Sequence, residues 1–112
     1  MELTKHVTQD DMTLYSGPGN IHSDIEVAKR TGLDAPIAQG MQTLAFASEL
    51  LTRICGAEWL ERGEIGVKFI RPVLAEDHVT VTALESKDGY DVEARNQRGD
   101  ILMVGTARLR PA

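Results

Sequence analysis

The stretch GMQTLAFASELLTRIC, Gly40 to Cys55, decides the fold. Its apolar positions Met41, Leu44, Ala45, Ala47, Leu51, Ile54 and Cys55 recur at three- and four-residue steps, which line up on one face of an α-helix. Phe46 and Leu50 widen the stripe, and Gly56 supplies a stop. A helix this apolar over this length is largely buried, so the rest of the chain has to cover it.

On the C-terminal side the period changes. IGVKFI (Ile65 to Ile70) alternates, HVTVTALE (His78 to Glu85) is rich in β-branched residues, YDVEAR (Tyr90 to Arg95) alternates again, and ILMVGTARL (Ile101 to Leu109) reads as a long strand. KDGY and NQRGD supply hairpin turns between the last three. One buried helix followed by an antiparallel meander predicts a single α+β domain over residues 1–112, its sheet wrapped around the helix.

On the N-terminal side, VTQDDMTLYS suits a short helix capped by Thr8, with Asp10 and Asp11 in its first turn and Met12, Leu14 and Tyr15 available for burial. SGPGN stops it. Ser23 followed by Glu26 fits a capping box, which predicts a helix from about Asp24 to Thr31 ending at Gly32. LDAPIAQG is a second break before the long helix.

Composition narrows the function. A chain of 112 residues has room for one small site, or for a site shared between chains. Forty-two per cent apolar and 26% charged residues are ordinary globular values, and a net charge of −5 offers no basic field to nucleic acid. The polar start MELTKHVTQDD and the polar residues that interrupt the long helix argue against a leader or a membrane span, so a soluble, cytoplasmic protein is expected. The single cysteine, Cys55, excludes an internal disulfide and any multi-cysteine metal site, and reads as packing. His6 and His78, on a terminal strand and a strand start, are far apart in sequence; surface placement is expected and no metal site. Trp59 reads as packing near the helix end. Lys68 and Arg71 read as a solvated strand face, with contact to a coenzyme A phosphate as the other possibility.

Three blocks carry a family resemblance. SGPGNIHSD (Ser16 to Asp24), APIAQGM (Ala35 to Met41) and VKFIRPVLAEDHVTV (Val67 to Val81) resemble, in order and spacing, the signature blocks of the MaoC-like dehydratases, or R-specific enoyl-CoA hydratases. That family's blocks read Ser-Gly-Asp-x-Asn-Pro-x-His-x-Asp, Pro-Ile-Ala-His-Gly-Met and Phe-x-Arg-Pro-Val-x-x-Gly-Asp. The resemblance implies the hot-dog fold, an antiparallel sheet curled round a central helix, and assembly as a homodimer or a dimer of dimers. It implies a lyase acting on a 3-hydroxyacyl or 2-enoyl thioester of coenzyme A or a carrier protein, with no cofactor and no metal. His22 matches the catalytic histidine, Asn20 the asparagine, and Gly40 the glycine whose N–H polarises the thioester carbonyl. The acyl thioester is then expected against Gly17, Ile37, Ala38, Gln39 and Met41.

The chemistry suits these residue types. Adding water to an enoyl thioester, or removing it, drives negative charge onto the carbonyl oxygen, and an N–H at a helix N-terminus meets that charge. Histidine moves protons near neutral pH. Three positions depart from the family pattern: Gly17 (or Pro18, with a one-residue deletion) stands where the family has its aspartate, Gln39 replaces a histidine, and Glu76 replaces a glycine. Asp24 is another carboxylate near His22, though an acid in a helix's first turn is accounted for by the dipole. Thioester hydrolysis, double-bond isomerisation, and acyl or partner binding without turnover therefore stay open beside the lyase reading.

Overall fold

The computed structural model describes residues 1–111. The elements run β1 (Glu2–Val7), α1 (Gln9–Ser16), α2 (Ile25–Arg30), α3 (Gly40–Cys55), α4 (Ala57–Arg62), β2 (Gly63–Phe69), β3 (Asp77–Ser86), β4 (Gly89–Arg95) and β5 (Ile101–Leu109). The five strands form one sheet in the order β1-β3-β4-β5-β2, and every neighbouring pair is antiparallel. The β3-β4-β5 meander is the one read from the alternation and its two turns. β1 and β2 occupy the two edges.

The long helix α3 packs on β3, β1 and β4 and supplies the middle of the core. Ala47, Leu50 and Leu51 are buried with Val79, Val81, Leu102 and Met103 of the sheet. Each leucine or valine removed from water there stabilises the fold by roughly 1.5–3 kcal/mol. This is the expected helix within a curled sheet, with its boundaries where the sequence put them.

The helix is rotated from the simplest reading of its stripe. Met41 is 56% exposed, whereas the polar Gln42 and Thr43 are 6% and 3% exposed. Gln42 faces the groove beside α1, and Thr43 faces the segment after β2. Neighbours from distant parts of the chain thus override the stripe at the first turn.

The shorter elements show three further differences. In α1, Thr8 caps as expected and forms a reciprocal box with Asp11, and its backbone N–H, followed by its hydroxyl, holds the Asp11 carboxyl below its ordinary range. Only Met12 of that helix is buried, while Leu14 and Tyr15 are exposed. The cap of α2 is Asp24, which accepts from the N–H groups of Glu26 and Val27 at 2.9 and 3.3 Å; the Ser23 hydroxyl bonds Asn20 instead. Gly56 ends α3, but a short α4 follows at once. Trp59 of α4 is buried, as expected of a packing residue, and its indole N–H donates to Ser48 Oγ at 2.9 Å. Cys55 is half-buried, its Sγ 3.9 Å from the Tyr90 hydroxyl, and burial pushes that phenol's pKa up.

The two histidines are surface residues, but they are neighbours. His6 and His78 pair across β1 and β3, their rings stacked with centroids 4.4 Å apart, and His6 Nε2 lies 2.7 Å from Glu76 Oε2. Antiparallel register brings them together across most of the chain, which sequence distance could not show. Among the described residues no group of three ligating side chains is placed to hold a metal ion, and no helix is long and apolar enough to cross a membrane.

Candidate active site

The loop between α1 and α2 is built around Asn20. Gly17 and Gly19 both have φ of 77°, a left-handed conformation that glycine adopts without penalty. The chain therefore folds back tightly enough for the Asn20 amide to donate to the carbonyls of Ser16 (2.9 Å) and Gly17 (3.3 Å). Its oxygen accepts from the His22 N–H at 2.9 Å and from the Ser23 hydroxyl at 3.4 Å. Both ends of the amide are thus engaged within the loop, and the result is a fixed backbone at His22. Gln9 of α1 steadies the same point by donating to the His22 carbonyl at 3.1 Å.

The imidazole of His22 is oriented from outside the loop. Its Nδ1 lies 2.7 Å from the carbonyl oxygen of Ile37. A carbonyl oxygen only accepts, so Nδ1 carries the hydrogen and the neutral ring keeps its lone pair on Nε2. Ile37 in turn donates its N–H to Ile21 at 3.1 Å and pairs with Leu74, and Ala38 N–H donates to Val73 O at 2.9 Å. The segment 36–39 is therefore a short strap between the histidine loop and the stretch after β2, and it runs straight into α3.

At the start of α3 the N-terminus is open. Gln39, the N-cap residue, makes no side-chain capping bond. Gly40 N–H has no acceptor among the described residues. A Cβ on Gly40 would stand 2.9 Å from the Phe69 ring, so any larger residue here displaces that ring. Ile37, Ala38, Gly40, Thr43 and Phe69 line one cleft of about 330 Å³, with Arg71 also on its wall. The Asn96 amide, with Arg98 and Arg71 adding positive charge, holds the nearby Asp100 carboxyl below its ordinary range.

Of the residues singled out in the sequence, the fold brings Ile37, Ala38 and Gly40 into this cleft and ties His22 to it through Ile37. Gly17 shapes the loop. Gln39 precedes the helix without lining the cleft, and Met41 lines an outer groove with Tyr15 and Leu44. Asp24 is committed to capping α2, as its place in a first turn implied. Sequence reading missed the Ile37 carbonyl, Thr43 and Phe69. The buried Asp77 was also missed: its two carboxylate oxygens accept from Leu74 N–H (2.9 Å) and Gln97 Nε2 (3.0 Å) and pin the turn that carries the strap's partner Leu74. The phenylalanine and the aspartate were visible in the third block; the carbonyl and the threonine gave no local signal.

Comparison with known proteins agrees with this fold. Residues 1–103 match the sequence profile of the MaoC like domain. No curated protein matches the chain. Among solved structures, a MaoC-like dehydratase from Phytophthora capsici is 21% identical with a TM-score of 0.82, over 100% of this chain and 42% of that one. An (R)-hydratase from A. caviae involved in PHA biosynthesis is 22% identical with a TM-score of 0.71, over 98% and 93%. An R-hydratase from Pseudomonas aeruginosa is 25% identical with a TM-score of 0.75, over 96% and 76%. The chain thus spans less than half of the Phytophthora protein and nearly all of the A. caviae one. With a matching profile over most of its length and a sheet curled around α3 in the hot-dog manner, this chain belongs to the MaoC-like domain family.

Proposed function

We propose that the protein is a hydro-lyase acting on a 2-enoyl or 3-hydroxyacyl thioester, with His22 as its acid–base group and Gly40 N–H as the donor to the thioester oxygen. The observation that carries this reading is the His22 Nδ1 contact with the Ile37 carbonyl, which leaves Nε2 as the ring's free nitrogen and ties it to the same strap that delivers the bare N-terminus of α3. In the hydration direction Nε2 takes a proton from water as the oxygen bonds to C3. The π electrons move onto the carbonyl oxygen, where Gly40 N–H and the positive end of α3 stabilise the enolate. The imidazolium then returns the proton to C2, so that one water is added in all and His22 is restored. Such an N–H donor contributes roughly 3–4 kcal/mol to the transition state. The thioester, of coenzyme A or a carrier protein, is the substrate, and no cofactor is required. We place this soluble chemistry in the cytoplasm.

No carboxylate stands at Gly17 or Pro18, and Asp24 is held by two backbone N–H groups. This favours a single-histidine route over a histidine–carboxylate pair, and it weighs against thioester hydrolysis, for which hot-dog thioesterases usually use a carboxylate to activate water. It also supports a second reading, an acyl-binding member without turnover. The discriminating experiment is the ultraviolet absorbance of the enoyl thioester: loss with crotonyl-CoA and gain with 3-hydroxybutyryl-CoA support the lyase, and no change with either, alongside calorimetric binding, supports the binder.

Assembly as a homodimer or a dimer of dimers is part of the same proposal. The edge strand β2 has no fully buried residue. Met41, Leu44 and Ala45 of α3, with Tyr15 and Ile65, form an outer apolar groove continuous with that edge. An unpaired edge next to an exposed apolar helix face is what a second copy covers.

A further inference from the structure

Thr43 is buried beside Gly40 and has no partner. It is 3% exposed and lines the cleft together with Gly40 and Phe69. The hydroxyls of two other threonines, Thr31 at the C-cap of α2 and Thr52 within α3, donate to carbonyls a turn earlier, those of Ala28 and Ser48, each at 2.8 Å. The Thr43 hydroxyl makes no hydrogen bond among the described residues. Among the described residues the buried side-chain atoms without a partner are Ser16 Oγ and Gln42 Oε1, so the unpaired Thr43 hydroxyl is one that still reaches the cleft and is free to bond a group entering it.

Direction follows from helix geometry. Side chains on a helix lean toward its N-terminus, so a residue covers the turn before its own, and residues three apart share a face. Thr43 therefore overlies the turn that begins at Gly40. Phe69 closes the other side, its ring against Gly40. An oxygen brought to the Gly40 N–H enters a space with an aromatic wall on one side and a free hydroxyl on the other.

We propose that the Thr43 hydroxyl is the second donor to the thioester oxygen, beside Gly40 N–H. This inference rests on the acyl-thioester reading and deepens it. As the enolate forms, the O–H···O bond becomes charge-assisted and strengthens, so the hydroxyl acts on the transition state more than on the bound substrate.

The test compares butyryl-CoA with S-butyl-CoA, a thioether lacking the carbonyl, by calorimetry on the wild type, Thr43→Val and Thr43→Ser. Thr43→Val should weaken butyryl-CoA about tenfold, the loss of one hydrogen bond, and leave S-butyl-CoA unchanged. Thr43→Ser should keep the wild-type affinity. On crotonyl-CoA, Thr43→Val should lower kcat about 10²-fold with a smaller change in KM. If Thr43→Val binds both ligands as the wild type does, or if the wild type binds no butyryl-CoA, the proposal is overturned. A wild type that discriminates through Thr43 yet turns nothing over keeps the donor and loses the lyase; turnover unaffected by Thr43→Val does the reverse. Should the valine variant fail to fold, Thr43→Ala removes the same hydroxyl and carries the same comparison.

Discussion

His22 Nδ1 stands 2.7 Å from the carbonyl oxygen of Ile37, fifteen residues further along the chain. This contact fixes the tautomer and joins the histidine loop to the strap leading into α3. With Nδ1 committed, proton transfer in the proposed reaction passes through Nε2. His22→Ala should lower kcat on an enoyl thioester by about 10²–10⁴, the usual worth of a positioned acid–base group. Half-buried and held by one ring contact, the side chain contributes little to packing. The melting temperature should move by only a few degrees, and a collapse of folding together with activity would point to a structural role instead.

Asn20 should behave differently. Its amide makes two donor and two acceptor contacts inside the loop. Asn20→Ala leaves the Ser16 and Gly17 carbonyls and the His22 N–H unpaired, at a cost of about 1–3 kcal/mol. Chemical denaturation and steady-state kinetics should therefore fall together. Wild-type stability with a pure kcat defect would mean that the amide meets the substrate.

Gly40→Ala tests the close approach at the helix start. The added methyl collides with Phe69, but that ring is 48% exposed and can swing aside. Stability should change by less than about 1.5 kcal/mol, as for a mild packing change. Displacing the ring disturbs the cleft proposed to hold the thioester oxygen, and kcat/KM should fall about 10²-fold, the effect of an ångström-scale misplacement. Unchanged kinetics would reduce Gly40 to a helix-start glycine.

Glu76 sits at φ 70°, a left-handed conformation for a residue with a side chain. Glu76→Gly relieves about 1–2 kcal/mol of strain, against roughly 0.4–1 kcal/mol of added chain entropy in the unfolded state and a surface contact to His6 worth at most about 1 kcal/mol. Glu76→Ala keeps the strain and loses the contact. The glycine variant should therefore be about 1 kcal/mol more stable than the alanine variant in urea denaturation. The reverse order would show that the added freedom of the unfolded chain outweighs the backbone strain.

Light scattering tests the assembly. The wild type should show at least twice the monomer mass at micromolar concentration, and Met41→Lys should shift it toward monomer. Because Met41 is 56% exposed within one chain, the substitution should alter monomer stability by no more than about 0.5 kcal/mol. A monomeric wild type would leave the outer groove and the β2 edge without an occupant.

Local signals carried most of the architecture. The period of three to four in α3, the alternation in β2 and β4, and the two hairpin turns each arise from contacts within one element or its neighbour, and each was legible. Capping was ambiguous at Ser23 and Asp24 because adjacent residues of similar chemistry compete, and Asn20 takes the serine hydroxyl. What was illegible is non-local. The burial of Gln42 and Thr43, the exposure of Met41, the His6–His78 stack and the Ile37 carbonyl all depend on which distant segments meet, and no residue announces a backbone carbonyl as its neighbour's partner.

The sheet order also dictates a sequence of events in time. β3, β4 and β5 join through short turns, whereas β1 waits for a partner some eighty residues away, Glu2 opposite Thr82. Closing so long a loop is entropically slow, and topologies rich in such contacts fold slowly. The histidine loop and α3 both lie inside that loop. His22 and the helix N-terminus therefore reach their final places only when the meander has formed and β1 has closed over it, so the proposed activity should appear late in refolding, after most of the β-sheet signal.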